Sequence, residues 1–548
     1  MAGKIQLRQV SSLAKVFPER IFSGNICNSL QGARGQELSY QIAFRYHSPS
    51  FVFKKYTVEV STPWEDRTQV YSVGYVPTVL PCYPGQYDDD YITHKPGLFP
   101  DPLLPLEEPV VTVPTGVWQA LWISVKIPED APAGDYYITV SFHDPSKGTT
   151  ARRRIRLKVH PCSLPEQDLI FTQWFHCDCI ADAHHVPVLS EEHWDLIEKY
   201  MKLAASGGIS MILTPVLTPP LDTAIGGERP TVQLVEIEKQ GDRYSFDFSK
   251  LGRYVEITRR AGIRYLEINH FFTQWGAAHA PKVVAKENGE VRRIFGWDTD
   301  ANREEYRNFL SQLLPALLSY LDSIGVDRSR IYFHISDEPR SNHLEAYNAV
   351  ATWFRPLLQG CMQIDALSDI NFYEKGILEH PVVNTNRIQP FLDAGVKDLW
   401  CYNCCSQGVD VSNRFLAMPS YRNRVLGIQM YKTGMRGFLH WGYNFFYSRL
   451  SESKIDPYRV TDAGIGFPGG DSFSVYPGKN DANPSLRFKV FAQGIVDMRL
   501  LKLAEAKLGR ERVIEELDRI CDCDLSFSCY PKTDAVYEKL YDFIFSNI

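Results

Sequence analysis

Residues 331–340 read IYFHISDEPR, and the chain is organised around this stretch. The apolar run 331–335 predicts a short buried strand. Asp337 and Glu338 follow where this strand ends, and Pro339 closes it. Charge is costly at the end of a buried strand, and two neighbouring carboxylates perturb each other strongly. The stretch therefore indicates a functional site.

The composition excludes several classes of protein. A chain of 548 residues with 44% hydrophobic and 13% aromatic residues predicts two or three globular domains that favour a carbohydrate or another small molecule. The net charge of −6, without a long basic run, argues against nucleic acid as a partner. No apolar run is long enough to cross a membrane. The first 20 residues lack the apolar core of a signal peptide, so we expect a cytoplasmic protein whose 12 cysteines are reduced.

Residues 1–165 are expected to form a β-sandwich. Short alternating runs recur between turn-rich segments, and helical periodicity is absent. These runs are 38–46, 56–61, 69–76, 118–125, 135–142 and 153–159. The proline-rich segment 81–109 is too long for a plain hairpin loop. It is either an ordered excursion that reaches the neighbouring domain or a solvated surface loop.

From residue 166 onward, strand-like runs alternate with helical ones. The predicted strands are 169–175, 209–213, 264–270, 331–335, 363–367, 382–384, 398–402 and 437–441. Eight such units over about 270 residues predict a (β/α)8 TIM-type barrel spanning 166–483. A doubly wound open sheet is the alternative, but no glycine-rich phosphate fingerprint supports it. Residues 484–548 predict a helical C-terminal extension packed on the barrel.

Two insertions interrupt the barrel. Residues 231–248 predict a hairpin with Gln240 and Gly241 at its tip. Residues 270–299 predict a long loop that carries Trp275 and Trp297. Long loops at the carboxyl ends of barrel strands are where substrate specificity usually resides.

The predicted strand ends are rich in the side chains that bind sugars. Aromatic faces cover the apolar face of a sugar ring, while amides and carboxylates bond its hydroxyl groups. For each member of this ring, a packed barrel residue is the alternative. The predicted substrate-binding residues are Trp174, His270, Tyr402, Asn403, Trp441 and Tyr443.

The adjacency of Asp337 and Glu338 restricts the chemistry. Neighbours in a regular strand face opposite sides, so both reach one pocket only if the chain bends between them. Pro339 favours such a bend and is expected to hold Glu338 extended. Adjacent carboxylates cannot flank a glycosidic bond as nucleophile and acid. They suit a mechanism in which one protonates the leaving oxygen and the other holds a substrate acetamido group that itself attacks. A structural alternative is a helix cap with a salt bridge to Arg340.

Five stretches together carry a family resemblance. HISDEPR resembles the active-site strand of glycoside hydrolase family 123, the β-N-acetylgalactosaminidases. Residues 469–478 (GGDSFSVYPG), with 484–487 and 493–497, resemble the pattern of an uncharacterised domain family found at that family's C-terminus, and WGYN at 441–444 resembles its strand end. The resemblance covers most of 165–505. The chain departs from the pattern at Ser472 and Val496, which affects the lid and the closing helix more than the carboxylates.

This resemblance implies an exo-acting, retaining β-N-acetylgalactosaminidase that needs no metal or organic cofactor. Its substrate would be a glycan or glycoside with a terminal β-linked N-acetylgalactosamine. Glu338 would be the general acid/base, and Asp337 would orient the acetamido N–H. From strand-end position alone, Tyr402 and Tyr443 are the candidates to stabilise the acetamido oxygen, and Trp174 and Trp441 are the candidates to enclose the acetyl methyl group.

Two other interpretations stay open, and a third is disfavoured. The first is a two-carboxylate glycosidase for a non-acetamido sugar, with Glu267 or Asp365 as the partner of the acidic pair. The second is a non-catalytic carbohydrate-binding protein, because a fold does not guarantee activity. The third is a metal site at Cys177 and Cys179 with the histidines at 184 and 185. Because its spacing matches no standard zinc motif, no metal is predicted.

Overall fold

A computed structural model describes residues 3–274 and 276–548. Met1, Ala2 and Trp275, which was assigned to the long loop after the third barrel strand, lie outside the described residues. The chain forms a strand-rich N-terminal domain, then a barrel of parallel strands with helices around it, and then C-terminal helices. This confirms the predicted fold class.

The N-terminal domain is a sandwich of two five-stranded sheets. Its strands are β1 (Lys4–Ser11), β2 (Lys15–Val16), β3 (Ile21–Phe22), β4 (Ser29–Arg34), β5 (Glu37–His47), β6 (Phe53–Ser61), β7 (Thr68–Thr78), β8 (Gly97–Pro105), β9 (Val110–Pro114), β10 (Gln119–Lys126), β11 (Gly134–Asp144) and β12 (Thr149–Ser163). One sheet has the order β1-β5-β10-β7-β8 and the other β4-β12-β11-β6-β9. In β12, buried Ile155, Leu157 and Val159 alternate with exposed charged residues, so only one face enters the core between the sheets.

The second domain is a closed parallel barrel. Its core strands are β13 (Ile170–Gln173), β14 (Met211–Thr214), β17 (Tyr265–Ile268), β20 (Ile331–Phe333), β21 (Met362–Gln363), β22 (Asp365–Leu367), β23 (Pro381–Asn384), β24 (Trp400–Asn403) and β25 (Gly437–His440). Each strand pairs with the next along the chain, except that β21 and β22 are consecutive parts of one strand, and β25 pairs with β13. The fifth strand is split into β21 and β22 at Ile364, whose N–H donates to the carbonyl of Phe333 at 3.0 Å. This continuous ring excludes the open doubly wound sheet.

The two insertions form one small sheet beside the barrel. Its strands are β15 (Glu236–Gln240), β16 (Arg243–Asp247), β18 (Val283–Glu287) and β19 (Glu290–Phe295), in the order β16-β15-β18-β19. The first hairpin, β15 with β16, was predicted. Residues 270–299 were expected to form a loop without strands, but they contain the second hairpin, β18 with β19. Asn288 and Gly289 join its strands with positive φ angles of 54° and 86°. An Asn-Gly pair suits such a turn, because both residues tolerate left-handed backbone.

Helices surround the barrel and close the chain. They are α1 (Cys177–His184), α2 (Glu191–Ser206), α3 (Ser249–Ala261), α4 (Glu304–Ser323), α5 (Leu344–Phe354), α6 (Asn371–Glu374), α7 (Gln389–Asp393), α8 (Ser420–Arg424), α9 (Leu426–Thr433), α10 (Leu486–Leu508), α11 (Arg510–Cys521) and α12 (Val536–Ser546). A short two-stranded ribbon, β26 (Val475–Pro477) with β27 (Ala482–Pro484), precedes α10. Gly427 and Gly494 lie where α9 crosses α10. A Cβ on Gly427 would overlap the backbone of Gly494, and a Cβ on Gly494 would overlap the carbonyl of Arg424, the last residue of α8. Within the described parts of the chain, no helix is both long and apolar enough to span a membrane.

The proline-rich segment after β7 is an ordered excursion that contacts the barrel, not a solvated loop. The Asp88 carboxylate receives two hydrogen bonds from Arg422, each of 2.7 Å. Asp101, on β8, receives bonds of 3.0 and 2.9 Å from Arg487 on α10. Asp101 and Arg487 are buried, so these paired charges join the sandwich to the barrel and to the C-terminal helices.

Candidate active site

The fourth barrel strand ends at Phe333, two residues earlier than predicted, and the chain bends before Pro339. Glu338 has φ +44°, in the left-handed region, so the expected extended conformation is wrong although the bend is present. Its N–H donates to the carbonyl of Ala366 on β22 at 3.0 Å. This conformation costs a non-glycine residue on the order of 1–2 kcal/mol, and the bond to the neighbouring strand helps to hold it. As a result, neighbouring side chains reach the same cavity.

That cavity, called the inner cavity here, has a volume of about 180 Å³ at the carboxyl ends of the barrel strands. Asp337 and Glu338 both line it. Its aromatic lining is Trp174, Tyr402, Trp441, Phe445 and Phe467. Of the predicted site residues, the two carboxylates, both tryptophans and Tyr402 therefore meet at one cavity, whose size suits a single sugar ring.

A second, open cavity of about 710 Å³ adjoins the first and is called the outer cleft. Its lining includes Arg340, Ser341, Asp369 and Arg387. Glu338 and Tyr402 line the inner cavity and the outer cleft alike. Glu338 therefore stands at the boundary between the two cavities.

Three predicted substrate-binding residues are buried outside the inner cavity's lining. His270 stacks on the His334 ring with 4.3 Å between ring centroids. Asn403 accepts a hydrogen bond from the Thr385 hydroxyl at 2.6 Å and donates one of 3.0 Å to a backbone carbonyl. The Tyr443 hydroxyl donates to the carbonyl of Tyr200 at 3.0 Å. Asn403 and Tyr443 therefore hydrogen-bond to the protein itself, and the His270 ring packs against His334.

Loops supply lining residues that the sequence pattern did not indicate. Asp222 comes from the loop after β14, and Arg449 and Leu450 come from the loop after β25. The N–H of Leu450 donates to Asp222 Oδ2 at 3.0 Å, which ties the two loops together. Burial raises the pKa of Asp222 to about 6. A carboxylate in a loop after a barrel strand was the available signal, but nothing in the sequence indicated which loops meet.

Tyr402 is held directly against one of the paired carboxylates. Its hydroxyl donates to Glu338 Oε1 at 2.6 Å. The Asn384 side-chain amide donates to the same hydroxyl at 3.4 Å. Burial, with the nearby Glu338 charge, raises the pKa of Tyr402 well above its usual value, so the phenol stays protonated and acts as a donor.

A buried layer of charged groups lies beneath the bend. His334 Nε2 lies 2.7 Å from Glu267 Oε1, and His334 Nδ1 lies 3.5 Å from Asp365 Oδ1. Burial by itself acts to lower the pKa of His334. The hydrogen bonds and charges of Asp365 and Glu267 outweigh it and raise this pKa to about 9. The ring is therefore an imidazolium at neutral pH.

The same layer fixes the backbone that leads to the paired carboxylates. Asp365 Oδ1 accepts hydrogen bonds from the N–H groups of Ile335 at 2.9 Å and Ser336 at 3.2 Å. Its other oxygen accepts from the Tyr347 hydroxyl. Glu267 accepts from the Trp174 indole at 2.8 Å, which orients one wall of the inner cavity. The buried charges thus position groups that the substrate would touch.

Asp337 lies in surroundings that favour its neutral form. Burial and then the neighbouring Glu338 raise the pKa of Asp337 well above its usual value, and the His334 charge opposes this rise. A carboxyl group with a raised pKa holds its proton to a higher pH than a free one.

His270, His334 and Asp365 also lie close enough together to be considered as metal ligands. Both ring nitrogens of His334 face carboxylates, so both carry protons and neither offers a lone pair to a cation. Within residues 3–274 and 276–548 no other group of three such side chains has this geometry. The cluster suits a buried imidazolium better than a metal ion.

Glu267 and Asp365 were the candidate partners for a two-carboxylate mechanism. Both are fully buried, and neither lines the inner cavity. Their oxygens bind His334, Trp174 and the backbone at 335–336. They are therefore poorly placed to reach an anomeric carbon.

A sandwich followed by a (β/α)8 barrel, with a carboxylate pair and aromatic walls at the strand ends, is typical of a glycoside hydrolase. The sequence comparison agrees, because the model of the glycoside hydrolase 123 catalytic domain matches residues 174–504. The chain belongs to glycoside hydrolase family 123. No curated protein sequence matches it.

Solved structures resemble the chain to different extents. A family 123 glycoside hydrolase from Clostridium perfringens, described for glycolipid glycan hydrolysis, is 14% identical with a TM-score of 0.74, and the match covers 100% of both chains. β-Glucuronidase 3 from Bacteroides uniformis is 10% identical with a TM-score of 0.32, over 89% of this chain and 51% of that one. An endo-β-1,4-mannanase from Thermotoga petrophila is 12% identical with a TM-score of 0.33, over 61% and 76%. The first of these matches shows that the fold extends over the whole chain.

Proposed function

We propose that this glycoside hydrolase is an exo-acting, retaining β-N-acetylgalactosaminidase that uses the acetamido group of its substrate as the nucleophile. The observation that carries the proposal is that sequence neighbours Asp337 and Glu338 line one cavity. A retaining enzyme with its own nucleophile needs two carboxylates roughly 5–5.5 Å apart on either side of the anomeric carbon. Two adjacent carboxylates would lie on one side of the sugar, where one can act as the general acid and the other can bind the acetamido group.

Glu338 is the proposed general acid. It lines both the inner cavity and the outer cleft, so a sugar in the first and a leaving group in the second would place the glycosidic oxygen beside it. The acetamido carbonyl oxygen attacks the anomeric carbon while the bond to the leaving oxygen breaks, and Glu338 gives its proton to that oxygen. A water molecule then attacks the anomeric carbon and opens the oxazoline ring, while Glu338 accepts a proton from that water. The configuration at the anomeric carbon is retained.

Asp337 is the proposed partner of the acetamido N–H. In the free site, Tyr402 donates to Glu338, and burial favours the protonated form of Asp337. An N–H donated by the substrate would stabilise the ionised form of Asp337, which burial alone disfavours. Substrate binding would thereby set the protonation state that the reaction needs.

The cavity walls support a single acetamido sugar. Trp174 and Trp441 line the inner cavity with two phenylalanines and can cover the sugar ring and its acetyl methyl group. Asp222 and Arg449 supply polar groups for its hydroxyls. The preference for the galacto configuration rests on the family resemblance of the HISDEPR stretch.

We also propose three domains: residues 1–165 as the sandwich, 166–483 as the catalytic barrel and 484–548 as the C-terminal extension. The last sandwich strand ends at Ser163, the first barrel strand begins at Ile170 and the helix α10 begins at Leu486. These bounds are consistent with the proposed divisions.

The test uses aryl β-N-acetylgalactosaminide and its gluco epimer. We expect the galacto epimer to be the better substrate, and Glu338→Gln and Asp337→Asn each to lose most of the activity. A thiazoline mimic of the oxazoline should inhibit. Near wild-type turnover by either variant would contradict the assigned roles.

Two alternatives give different results in the same assays. If Asp222, which lines the cavity, acts as a nucleophile on a non-acetamido sugar, the thiazoline does not inhibit and the enzyme prefers a simple aryl glycoside. If the protein binds sugars without cleaving them, calorimetry detects binding while no aryl glycoside is hydrolysed.

A further inference from the structure

The outer cleft differs in chemistry from the inner cavity. Most of its lining is polar, and Tyr402 is its only aromatic residue among the described parts of the chain. Besides Glu338, its polar members include Arg340, Ser341, Asp369, Asn384, Asn386 and Arg387. Side chains of this kind offer hydrogen bonds and charge to a bound group. If the leaving group occupies the outer cleft, these side chains would bind its polar groups.

The Asp369 carboxylate in the outer cleft already accepts hydrogen bonds from its neighbours. Asp369 accepts hydrogen bonds from the Ser341 hydroxyl, from the backbone N–H of Asn371 at 3.1 Å and from the Asn371 side chain at 2.8 Å. These bonds tie the segment after Pro339 to the segment after β22. Asp369 therefore acts as a structural link across the cleft floor.

The two arginines of the cleft have no such partner. Arg340 follows Pro339 directly, and Arg387 ends the short 3-10 turn after β23. Both are exposed. Within residues 3–274 and 276–548, neither forms a salt bridge with a carboxylate. Two guanidinium groups thus line an open cleft whose inner edge is the proposed general acid.

Resting on the hydrolase function proposed above, we propose that the outer cleft binds a leaving-group saccharide that carries a carboxylate or a sulfate ester. Arg340 and Arg387 would hold this anion. The planar guanidinium donates two parallel hydrogen bonds to either group, and charge-assisted bonds of this kind are stronger than those to neutral hydroxyls. These hydrogen bonds would place the glycosidic oxygen of the leaving group next to Glu338, the proposed general acid.

The experiment compares three disaccharides in which N-acetyl-β-galactosamine is linked to a neutral hexose, to the matching hexuronic acid or to the hexose with one sulfate ester. The readout is kcat/KM for each, at low ionic strength. We expect the wild-type enzyme to prefer at least one acidic disaccharide over the neutral one by about tenfold, the scale of one charge-assisted hydrogen bond. Which acidic arm is preferred identifies carboxylate or sulfate as the ligand.

The variants Arg340→Ala and Arg387→Ala are each expected to reduce this preference severalfold, and the double variant to abolish it. Arg330→Ala is the matched control, because Arg330 is also exposed but precedes β20 at the opposite end of the strand. Its acidic-to-neutral ratio should equal that of the wild type. Added salt should weaken the wild-type preference and leave the double variant's ratio unchanged.

The results that would overturn the cleft assignment differ from the result that would overturn the proposed function. A wild type that cleaves the aryl N-acetylgalactosaminide yet treats the three disaccharides alike overturns the cleft assignment alone. A double variant that keeps the acidic preference overturns the cleft assignment as well. A wild type that cleaves no N-acetylhexosaminide overturns the proposed function, and the cleft inference falls with it.

Discussion

Replacing His334 by glutamine tests the buried charge layer under the active site. The amide can still donate a hydrogen bond to Glu267, but it cannot carry the positive charge that now lies between Glu267 and Asp365. The groups that face this ring are these two carboxylates, the stacked His270 ring and Asp337. The substitution thus separates the effect of charge from that of shape.

The magnitude follows from the pKa of His334, which folding raises from 6.5 to about 9. At about 1.36 kcal/mol for each pH unit, the charged ring contributes on the order of 3 kcal/mol to folding. Because the folded-state pKa is the higher one, this contribution is fully present below pH 6.5 and is lost as the pH rises through 9. The wild-type advantage over His334→Gln should therefore shrink by about 3 kcal/mol between pH 6 and pH 10.

The assay has two parts. Urea unfolding of wild type and variant at several pH values measures the difference in stability, with His47→Gln as the control because His47 is exposed on the sandwich. NMR of protein labelled at histidine identifies the His334 signal by its absence from the variant. We expect this signal to titrate near pH 9. A midpoint at or below 6.5, or a stability difference that stays constant across the pH range, would refute the buried imidazolium.

Two further predictions concern the active-site hydroxyl and the interdomain ion pair. Tyr402→Phe removes the donor that lies 2.6 Å from Glu338, and we expect kcat to fall by roughly 10²-fold on the aryl N-acetylgalactosaminide with little change in unfolding midpoint; unchanged kcat would exclude a role for the hydroxyl in the reaction. Asp101→Asn leaves the Arg487 charge buried without its counterion, and we expect a loss of about 3–5 kcal/mol in urea unfolding. Asp66→Asn, which breaks an exposed pair with Arg67, is the control and should change stability by less than about 1 kcal/mol.

The barrel was predictable because its signals are local. Each core strand is a short apolar run at a distinct place along the chain, and helical periodicity separates most of the runs. The carboxylate pair was equally visible, since Asp337 and Glu338 are neighbours at a strand end. The hairpin at 283–295 carried a local signal as well, the Asn-Gly pair at 288–289, which the expectation of a plain loop overlooked.

The backbone at Glu338 could not be predicted from local rules. A residue before proline is biased towards extended backbone, which was the expectation here. The left-handed conformation exists because the Glu338 N–H reaches the carbonyl of Ala366 on the next strand. A tertiary hydrogen bond overrides the local preference, and this override brings the two carboxylates to one cavity.

What the sequence determines by itself is the kind of fold and the identity of the acidic pair, because both depend on residues close together in the chain. Only the tertiary structure brings Asp222 to Leu450 across 228 positions, or His334 to Glu267 across 67. These contacts depend on which loops and strand ends the closed ring places side by side. Long-range contacts of this kind decide which polar groups line the inner cavity, which lie buried beneath it and which line the outer cleft.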